Sequence, residues 1–262
     1  MLKLAVNLSM IFTEVPLIER FALARRHGFD HVEIQFPYEL TIKQIQTQLR
    51  QHQLSLCLIN LPAGDLMQGG DGIACVPGKE IEFRYALQKA LQYAKSLQVP
   101  RVNILAGRQP NDADLLPCLN TLAHNLKLAC DMLTEHEIEP VFEMINGTDM
   151  PRFLIQNVAQ AQEMLEAVQR PELKMQYDCY HMAMMGEDVL AALQENIAHI
   201  GHIQFADCPA RHEPDTGALD YQTLFKWLAQ SSYSGFVAAE YRPSQHSSDS
   251  FSWKAKYFAK HH

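Results

Sequence analysis

The amino-acid sequence predicts a single (β/α)8 barrel of the TIM-barrel type, an α/β fold. The chain has 262 residues, close to the roughly 250 that one such barrel requires. Short, almost continuously apolar segments recur along the chain, and each is followed by a segment with helical periodicity. Near-continuous apolar strands are typical of a parallel sheet that is buried on both faces. We therefore expect residues 1–262 to form one TIM-barrel domain.

The first half of the chain contains four predicted pairs of strand and helix. The strands are 4–7, 31–36, 54–60 and 101–106, and the helices that follow them are 16–27, 41–51, 79–97 and 115–136. Gly28 stands where a helix commonly ends with a glycine in the left-handed conformation. Ile42, Ile45 and Leu49 share one face of the second helix. A long glycine-rich segment, 61–78, separates the third strand from its helix.

The second half repeats the pattern four more times. Its strands are 139–145, 173–178, 202–206 and 235–241, and its helices are 158–168, 188–198, 221–231 and 250–259. An open, doubly wound sheet also alternates strands and helices, but its dinucleotide-binding form carries G-x-G-x-x-G after the first strand. Here Asn7 is followed by Leu-Ser-Met-Ile-Phe, which contains no glycine. The count of eight strands and this segment favour the barrel.

Composition and charge narrow the classes of partner and compartment. The chain has 22 Lys and Arg against 30 Asp and Glu, a net charge of −8, which disfavours nucleic acid as a partner because that needs a basic face. The six cysteines are scattered without a C-x-x-C pair, so neither a zinc knuckle nor a disulfide framework is expected. No apolar run approaches the ~18 residues of a membrane span. We expect a cytoplasmic protein with no membrane partner, and a homo-oligomer is plausible for such a barrel.

Four polar residues interrupt the apolar strands at their carboxyl ends. They are Glu143, Asp178, Gln204 and Glu240, spaced by 35, 26 and 36 residues, or about one strand–helix unit each. The active sites of TIM barrels lie at the carboxyl ends of the strands. Because consecutive parallel strands are neighbours, we expect these four side chains to converge at that end of the barrel.

A divalent metal is the expected occupant of such a cluster. Three carboxylates brought together repel one another and raise one another's pKa unless a cation lies among them. Oxygen ligands suit hard ions, so Mg²⁺ or Mn²⁺ is expected as cofactor, with Zn²⁺ or Co²⁺ less well suited. The alternative for any one of these residues is a polar strand end that binds a helix N-terminus or a neighbouring arginine.

Three further residues are candidates for binding a small acidic substrate. His181 lies three residues after Asp178, on the predicted loop that leaves the sixth strand, where it can donate a hydrogen bond to substrate oxygens. Arg211 follows the seventh strand and Arg108 the fourth, and either can form a bidentate pair with a carboxylate. For both arginines a solvated position on a loop is the alternative. His202 lies two residues before Gln204 and is expected to be buried inside the barrel.

At these residues the chain resembles the hydroxypyruvate isomerases, a family of xylose-isomerase-like barrels. The resemblance covers almost the whole chain and rests on the following segments: Asn7-Leu-Ser-Met, Phe36-Pro-Tyr, Asn60-Leu-Pro-Ala-Gly-Asp, Gly72-Ile-Ala-Cys-Val-Pro-Gly, Tyr177-Asp-Cys-Tyr-His, Arg211-His-Glu-Pro and Glu240-Tyr. The stretch Met10-Ile-Phe-Thr-Glu-Val-Pro-Leu is more similar to the sister 2-oxo-tetronate isomerases. Taken together, these segments are specific, whereas each alone is weak.

The resemblance implies a metal-dependent isomerase that interconverts hydroxypyruvate and tartronate semialdehyde. It implies that Glu143, Asp178, Gln204 and Glu240 hold the metal, and that Glu143 and Glu240 also transfer protons. The alternatives are a 2-oxo-tetronate isomerase, a sugar 3-epimerase or a dehydratase on the same site, and a DNA-repair barrel of the AP-endonuclease type. The last would require a histidine-rich zinc site and a basic groove, which this sequence does not indicate.

Overall fold

Eight parallel strands form the centre of the protein. The computed structural model describes residues 2–258, and its strands are β1 (Lys3–Asn7), β2 (His31–Ile34), β3 (Ser55–Asn60), β4 (Arg101–Ile104), β5 (Glu139–Glu143), β6 (Lys174–Asp178), β7 (Ile200–Phe205) and β8 (Phe236–Ala239). They follow one another in chain order and close into a barrel. The predicted TIM-barrel fold is therefore confirmed. Several strands end earlier than expected, and Glu240 lies directly after β8, although its backbone N–H still donates to the carbonyl of Phe205 (3.1 Å).

The helices alternate with the strands as predicted, with one addition. They are α1 (Leu17–Arg26), α2 (Ile42–His52), α3 (Glu80–Leu97), α4 (Leu115–Thr134), α5 (Val158–Val168), α6 (Cys179–Met184), α7 (Val189–Asn196), α8 (Tyr221–Gln230) and α9 (Ser252–Phe258). The short helix α6 was not predicted, and it places His181 in a helix rather than on a loop. Residue 259, the expected end of the last helix, lies outside the described residues. No helix in the described part of the chain is both long and apolar enough to cross a membrane.

Contacts between Cα atoms group the chain into two compact units. The first comprises the chain up to Cys57, Asp178–Ala198 and the chain from Ile203 onward, and the second comprises Leu58–Tyr177 and His199–His202. In the first unit β1 pairs with both β2 and β8. The register of β1 and β2 sets Asn7 opposite Glu33. Paired residues of neighbouring strands project from the same face of a sheet, so these two polar side chains lie side by side.

The second unit repeats this arrangement with different side chains. In the register of β3 and β4, Asn60 stands opposite Asn103. In the register of β5 and β6, Glu143 stands opposite Gln176. All four residues are buried. Polar groups in a core must find hydrogen-bond partners, and the register provides them across the strands.

An aromatic cluster packs α9 against other elements of the first unit. Trp253 is fully buried, with its ring edge-on to Phe205 at 5.1 Å between centroids. Its indole Nε1 donates to the hydroxyl of Tyr241 (3.1 Å), and that hydroxyl donates to the carbonyl of Ser250 (2.9 Å). Because buried indole N–H groups require a partner, the sequence keeps a polar pair within an otherwise apolar contact.

Replacing Trp253 by Phe is expected to lower the free energy of unfolding by about 1–2 kcal/mol, since the ring shrinks and one hydrogen bond is lost. Urea unfolding followed by circular dichroism measures this change. The matched control is Tyr85→Phe, at an exposed aromatic residue of α3. A loss for Trp253→Phe no greater than for the control would contradict the stabilising role of the buried indole.

Candidate active site

Buried or largely buried polar side chains of the first unit gather at the carboxyl ends of β1, β2, β6, β7 and β8. We call these residues the strand-end cluster: Asn7, Glu33, Asp178, Gln204, Arg211 and Glu240. Asn7, Glu33, Asp178, Gln204 and Glu240 are each at most 2% exposed. Three of the four predicted metal ligands, Asp178, Gln204 and Glu240, are thus brought together in one network.

Arg211 joins two of the predicted ligands. Its Nη2 donates to Glu240 Oε2 at 2.7 Å and to Asp178 Oδ2 at 3.3 Å, and its side chain is only 14% exposed. The guanidinium also lies over the ring of Tyr180, 5.0 Å from the centroid, which is a favourable cation–π distance. Arg211 is therefore the cation of this cluster and not a solvated loop residue.

The backbone of Arg211 is held in an uncommon conformation. Its φ is 57°, in the left-handed region that non-glycine residues rarely adopt. Two backbone hydrogen bonds hold it there: Arg211 N–H donates to the carbonyl of Asp207, and Arg242 N–H donates to the carbonyl of Arg211. Such conformations cost of order 1–3 kcal/mol and concentrate at functional sites. The loop after β7 thus orients the Arg211 side chain toward Asp178 and Glu240.

The second oxygen of Glu240 accepts hydrogen bonds from three amide side chains. Its Oε1 receives Asn7 Nδ2 at 2.8 Å, Gln35 Nε2 at 2.9 Å and Gln204 Nε2 at 3.1 Å. Neutral donors stabilise a carboxylate without adding a competing charge. Glu240 is consequently fixed in one orientation before any substrate arrives.

His181 lies beside Asp178 at the start of α6. The Asp178 side chain accepts a hydrogen bond from the backbone N–H of Tyr180 (2.9 Å), so it also begins this helix as its N-cap. His181 Nε2 is 3.6 Å from Asp178 Oδ2. Burial, reinforced by Arg211, lowers the pKa of His181 well below its ordinary value. The imidazole is therefore neutral, which suits a hydrogen-bond donor or a metal ligand.

The carboxylates of the cluster disturb one another electrostatically. Burial, opposed by Arg211 and reinforced by Asp178 and Glu33, raises the pKa of Glu240 to about 8. Burial likewise raises the pKa of Asp178, although Arg211 lowers it. Three carboxylates and one guanidinium leave a formal excess of two negative charges when all are ionised. A divalent cation would balance that charge and favour the ionised forms.

Glu143, the fourth predicted ligand, belongs to the second unit. Its Oε2 accepts from Asn103 Nδ2 and from Gln176 Nε2, both at 2.9 Å. Asn103 Nδ2 also donates to Asn60 Oδ1 (3.1 Å). Glu143 thus resembles Glu240 in being a buried carboxylate oriented by side-chain amides of neighbouring strands.

The donor chemistry fits a divalent metal. Glu143, Asp178 and His181 are buried, and a carboxylate oxygen or an imidazole nitrogen of each is a possible metal ligand. Gln204 adds an amide oxygen and Glu240 a carboxylate. Hard divalent ions prefer such oxygen-rich sets, and one imidazole is compatible with Mn²⁺ as well as with Zn²⁺ or Co²⁺.

Arg108, the other candidate arginine, binds backbone carbonyls of a neighbouring loop. Nη1 of Arg108 donates to the carbonyls of Leu66 and Gly70, in the loop after β3. These bonds tie the loop to the end of β4. Of the two arginines, Arg211 is the one in contact with candidate site residues.

Sequence reasoning missed the residues that orient the candidate ligands. Glu33, Gln35, Asn103 and Gln176 were not singled out, although each is a polar residue within or next to an apolar strand. That criterion, which identified Glu143 and Gln204, would have identified these residues as well. His202 is fully buried, as expected.

Comparison with known proteins agrees with this fold and with the resemblance. A family model described as the xylose isomerase-like TIM barrel matches residues 21–260. A hydroxypyruvate isomerase of Escherichia coli (strain K12) is 38% identical over 257 residues, covering 98% of this chain and 100% of that protein. A 2-oxo-tetronate isomerase of Cupriavidus necator is 36% identical over 258 residues, covering 98% of this chain and 99% of that protein.

A solved structure extends the comparison to three dimensions. The crystal structure described as an AP endonuclease, family 2, from Brucella melitensis superposes with a TM-score of 0.94 at 36% identity. The match covers 98% of this chain and 99% of that chain. The chain therefore belongs to the xylose isomerase-like TIM barrels and, within them, to the isomerases that include hydroxypyruvate isomerase and 2-oxo-tetronate isomerase.

Proposed function

We propose that this protein is a metal-dependent isomerase that interconverts hydroxypyruvate and tartronate semialdehyde. The observation that carries the proposal is the strand-end cluster, in which the buried Glu240 is oriented by three amides on one oxygen and by Arg211 on the other. A buried carboxylate held in one orientation is suited to accept or deliver a proton at a fixed position. The full-length similarity to hydroxypyruvate isomerase supports the reaction.

Glu143, Asp178, Gln204 and Glu240 are proposed to hold the metal, with Mg²⁺ or Mn²⁺ as the ion. When bound, such an ion supplies Lewis-acid polarisation of the substrate's ketone oxygen. The residues contribute three carboxylates and one amide oxygen. His181 and Arg211 are proposed to bind substrate oxygens, His181 as a neutral donor and Arg211 as the partner of the substrate carboxylate.

Glu143 and Glu240 are proposed to transfer the protons. One glutamate removes the proton from the CH₂OH carbon of hydroxypyruvate, and the C–H electron pair becomes the double bond of an enediol. The other glutamate delivers a proton to the former ketone carbon, or the same proton is carried across to it; where two glutamates are used, proton exchange with solvent restores their starting states. The hydroxyl proton passes between the two oxygens, so the product is an aldehyde with a hydroxyl on the central carbon. Hydrogen is conserved, and no external oxidant or reductant is required.

A second substrate is favoured by one specific observation. The 2-oxo-tetronate isomerase of Cupriavidus necator is almost as similar to this chain as the hydroxypyruvate isomerase. A four-carbon acid requires the same polarisation and the same proton transfer, so the two substrates differ only in the space beyond the reacting carbons. A preference for 2-oxo-tetronate over hydroxypyruvate would change the proposed substrate to the four-carbon acid, while the proposed site and mechanism would stay the same.

Nucleic acid is not proposed as a partner, although one similar structure is described as an AP endonuclease. Binding to DNA depends on lysine and arginine side chains that neutralise phosphates. The net charge here is −8, and the strand-end cluster itself carries an excess of carboxylates. Incision of a duplex containing an abasic site would contradict this proposal.

The deciding experiment is a coupled assay on metal-stripped protein. Turnover of hydroxypyruvate is expected to be lost after EDTA treatment and restored by Mg²⁺ or Mn²⁺, with 2-oxo-tetronate assayed in parallel. Calorimetric titration with Mn²⁺ measures metal binding independently of activity. Turnover by protein shown to be metal-free would contradict the proposed role of the ion.

Residues 1–262 are proposed to fold as one domain, which a single cooperative unfolding transition would support. The protein is proposed to be cytoplasmic, since its cysteines form no evident framework for disulfides. A homo-oligomer is proposed, and light scattering measures its mass.

A further inference from the structure

Glu33 is a buried carboxylate that the proposed proton transfer does not use. It is 0% exposed, and its Oε1 accepts from Gln204 Nε2 at 2.7 Å and from Asn7 Nδ2 at 2.8 Å. Burying a carboxylate is costly unless hydrogen bonds or charges compensate. Two amide donors provide that compensation, and both of them also donate to Glu240.

The orientation of Asn7 is fixed by the backbone. Its Oδ1 accepts from the N–H groups of Ser9 (2.8 Å) and Met10 (3.2 Å), in the turn that follows β1. An amide has its acceptor and its donors on opposite sides. The Nδ2 group of Asn7 must therefore face away from the turn, and it donates to Glu33 and to Glu240.

The orientation of Gln204 follows from the two carboxylates. Its Nε2 donates to Glu33 Oε1 at 2.7 Å and to Glu240 Oε1 at 3.1 Å. The same two oxygens also accept from Asn7 Nδ2, and oxygens that accept hydrogen bonds do not tolerate the amide oxygen of Gln204 in place of its Nε2. Rotation of the amide by 180° would set an oxygen against two oxygens.

We propose that Glu33 is a positioning residue that directs the amide oxygen of Gln204 toward the metal. The inference rests on the proposed function, because it takes Gln204 as a metal ligand. Only the oxygen of a neutral amide can bind a hard cation, so the orientation of Gln204 decides whether it is a ligand. Glu33 acts through Gln204 and does not itself contact the ion or the substrate.

The direct test is the Mn²⁺ affinity of Glu33 variants, measured by calorimetry on metal-stripped full-length protein. Glu33→Gln preserves size but can present an amide nitrogen to Gln204, and Glu33→Asp preserves charge but withdraws the carboxylate by one methylene. Residues that orient metal ligands typically contribute about 10- to 100-fold to metal affinity. We expect a loss of that size for both variants. Glu139→Gln, at the first residue of β5, is the control and is expected to bind Mn²⁺ as the wild type does.

A double-mutant cycle separates orientation from simple loss of negative charge. If Glu33 acts through Gln204, Glu33→Gln should change Mn²⁺ affinity by less than about twofold when Gln204 is already replaced by Leu. An equal loss in both backgrounds, or no loss in the wild-type background, would overturn the proposal. Circular dichroism and urea unfolding verify that each variant is folded. If Glu33→Gln does not fold, Glu33→Asp tests the positioning role of Glu33.

The two proposals fail in different ways. Wild-type protein that binds no Mn²⁺ would overturn the proposed metal site, and the role of Glu33 with it. Wild-type protein that binds Mn²⁺ and isomerises substrate, together with unchanged Glu33 variants, would overturn only the role of Glu33.

Discussion

Replacing Glu240 by Gln is expected to lower isomerase turnover by about 10²- to 10⁴-fold, the usual contribution of a general acid or base. Glutamine has nearly the same shape, so the fold should persist. It cannot accept the substrate proton, however, and its amide nitrogen must face either Arg211 or the three amides that now donate to Glu240. Both the chemistry and the orientation of the side chain are therefore affected. Near-normal turnover would contradict the assignment of Glu240 to proton transfer.

Exchange of substrate hydrogens with solvent distinguishes the roles of the two glutamates. In D₂O, the glutamate that removes the proton from the CH₂OH carbon controls deuterium entry at that carbon of unreacted hydroxypyruvate. We expect one of the variants Glu143→Gln and Glu240→Gln to lose this exchange while the other retains part of it. NMR follows the exchange directly, and Glu139→Gln serves as the control. Equal, full exchange in both variants would refute the two-glutamate mechanism.

The fold could be predicted because the signal is repeated eight times. Each strand is an apolar segment that must be buried on both faces, and each helix shows its own periodicity, so an error at one end leaves the topology unchanged. The ends of the individual strands and helices were less predictable than their order. Helix α6 was missed because its sequence, Cys-Tyr-His-Met-Ala-Met, has no amphipathic pattern. It begins because the buried Asp178 caps it, and that depends on the tertiary structure.

The sequence indicated candidate ligands but not the hydrogen-bond network around them. Glu143, Asp178, Gln204 and Glu240 were singled out because a charged or amide side chain in an apolar strand is unusual. Which donor faces which acceptor depends on strand register, as in the pairing of Asn7 with Glu33, and sequence alone does not fix register. The contact of Arg211 with Glu240 depends on the left-handed backbone conformation of Arg211. The sequence does not predict that conformation, because it is usual for glycine and rare for arginine.

Replacing Arg211 by Met is expected to make the stability of the protein depend strongly on metal. Arg211 is a largely buried cation between Asp178 and Glu240. Removing one partner of a buried ion pair typically costs about 3–5 kcal/mol, because the remaining charges are left uncompensated. In EDTA we therefore expect Arg211→Met to unfold at a much lower urea concentration than the wild type. Arg26→Met, on the exposed surface of α1, is the control.

Divalent metal should reverse much of that loss, because at the proposed site it would neutralise the same carboxylates. A ligand that binds only the folded state stabilises it in proportion to the logarithm of its concentration over its Kd. Arg211→Met should therefore gain more stability from Mn²⁺ than the wild type gains, since the ion no longer competes with a guanidinium for Asp178 and Glu240. Turnover should still fall, because Arg211 is also the proposed partner of the substrate carboxylate. An equal gain from Mn²⁺ in both proteins would mean that Arg211 and the metal do not share these carboxylates, and the ligand set would then have to be reassigned away from Asp178 and Glu240.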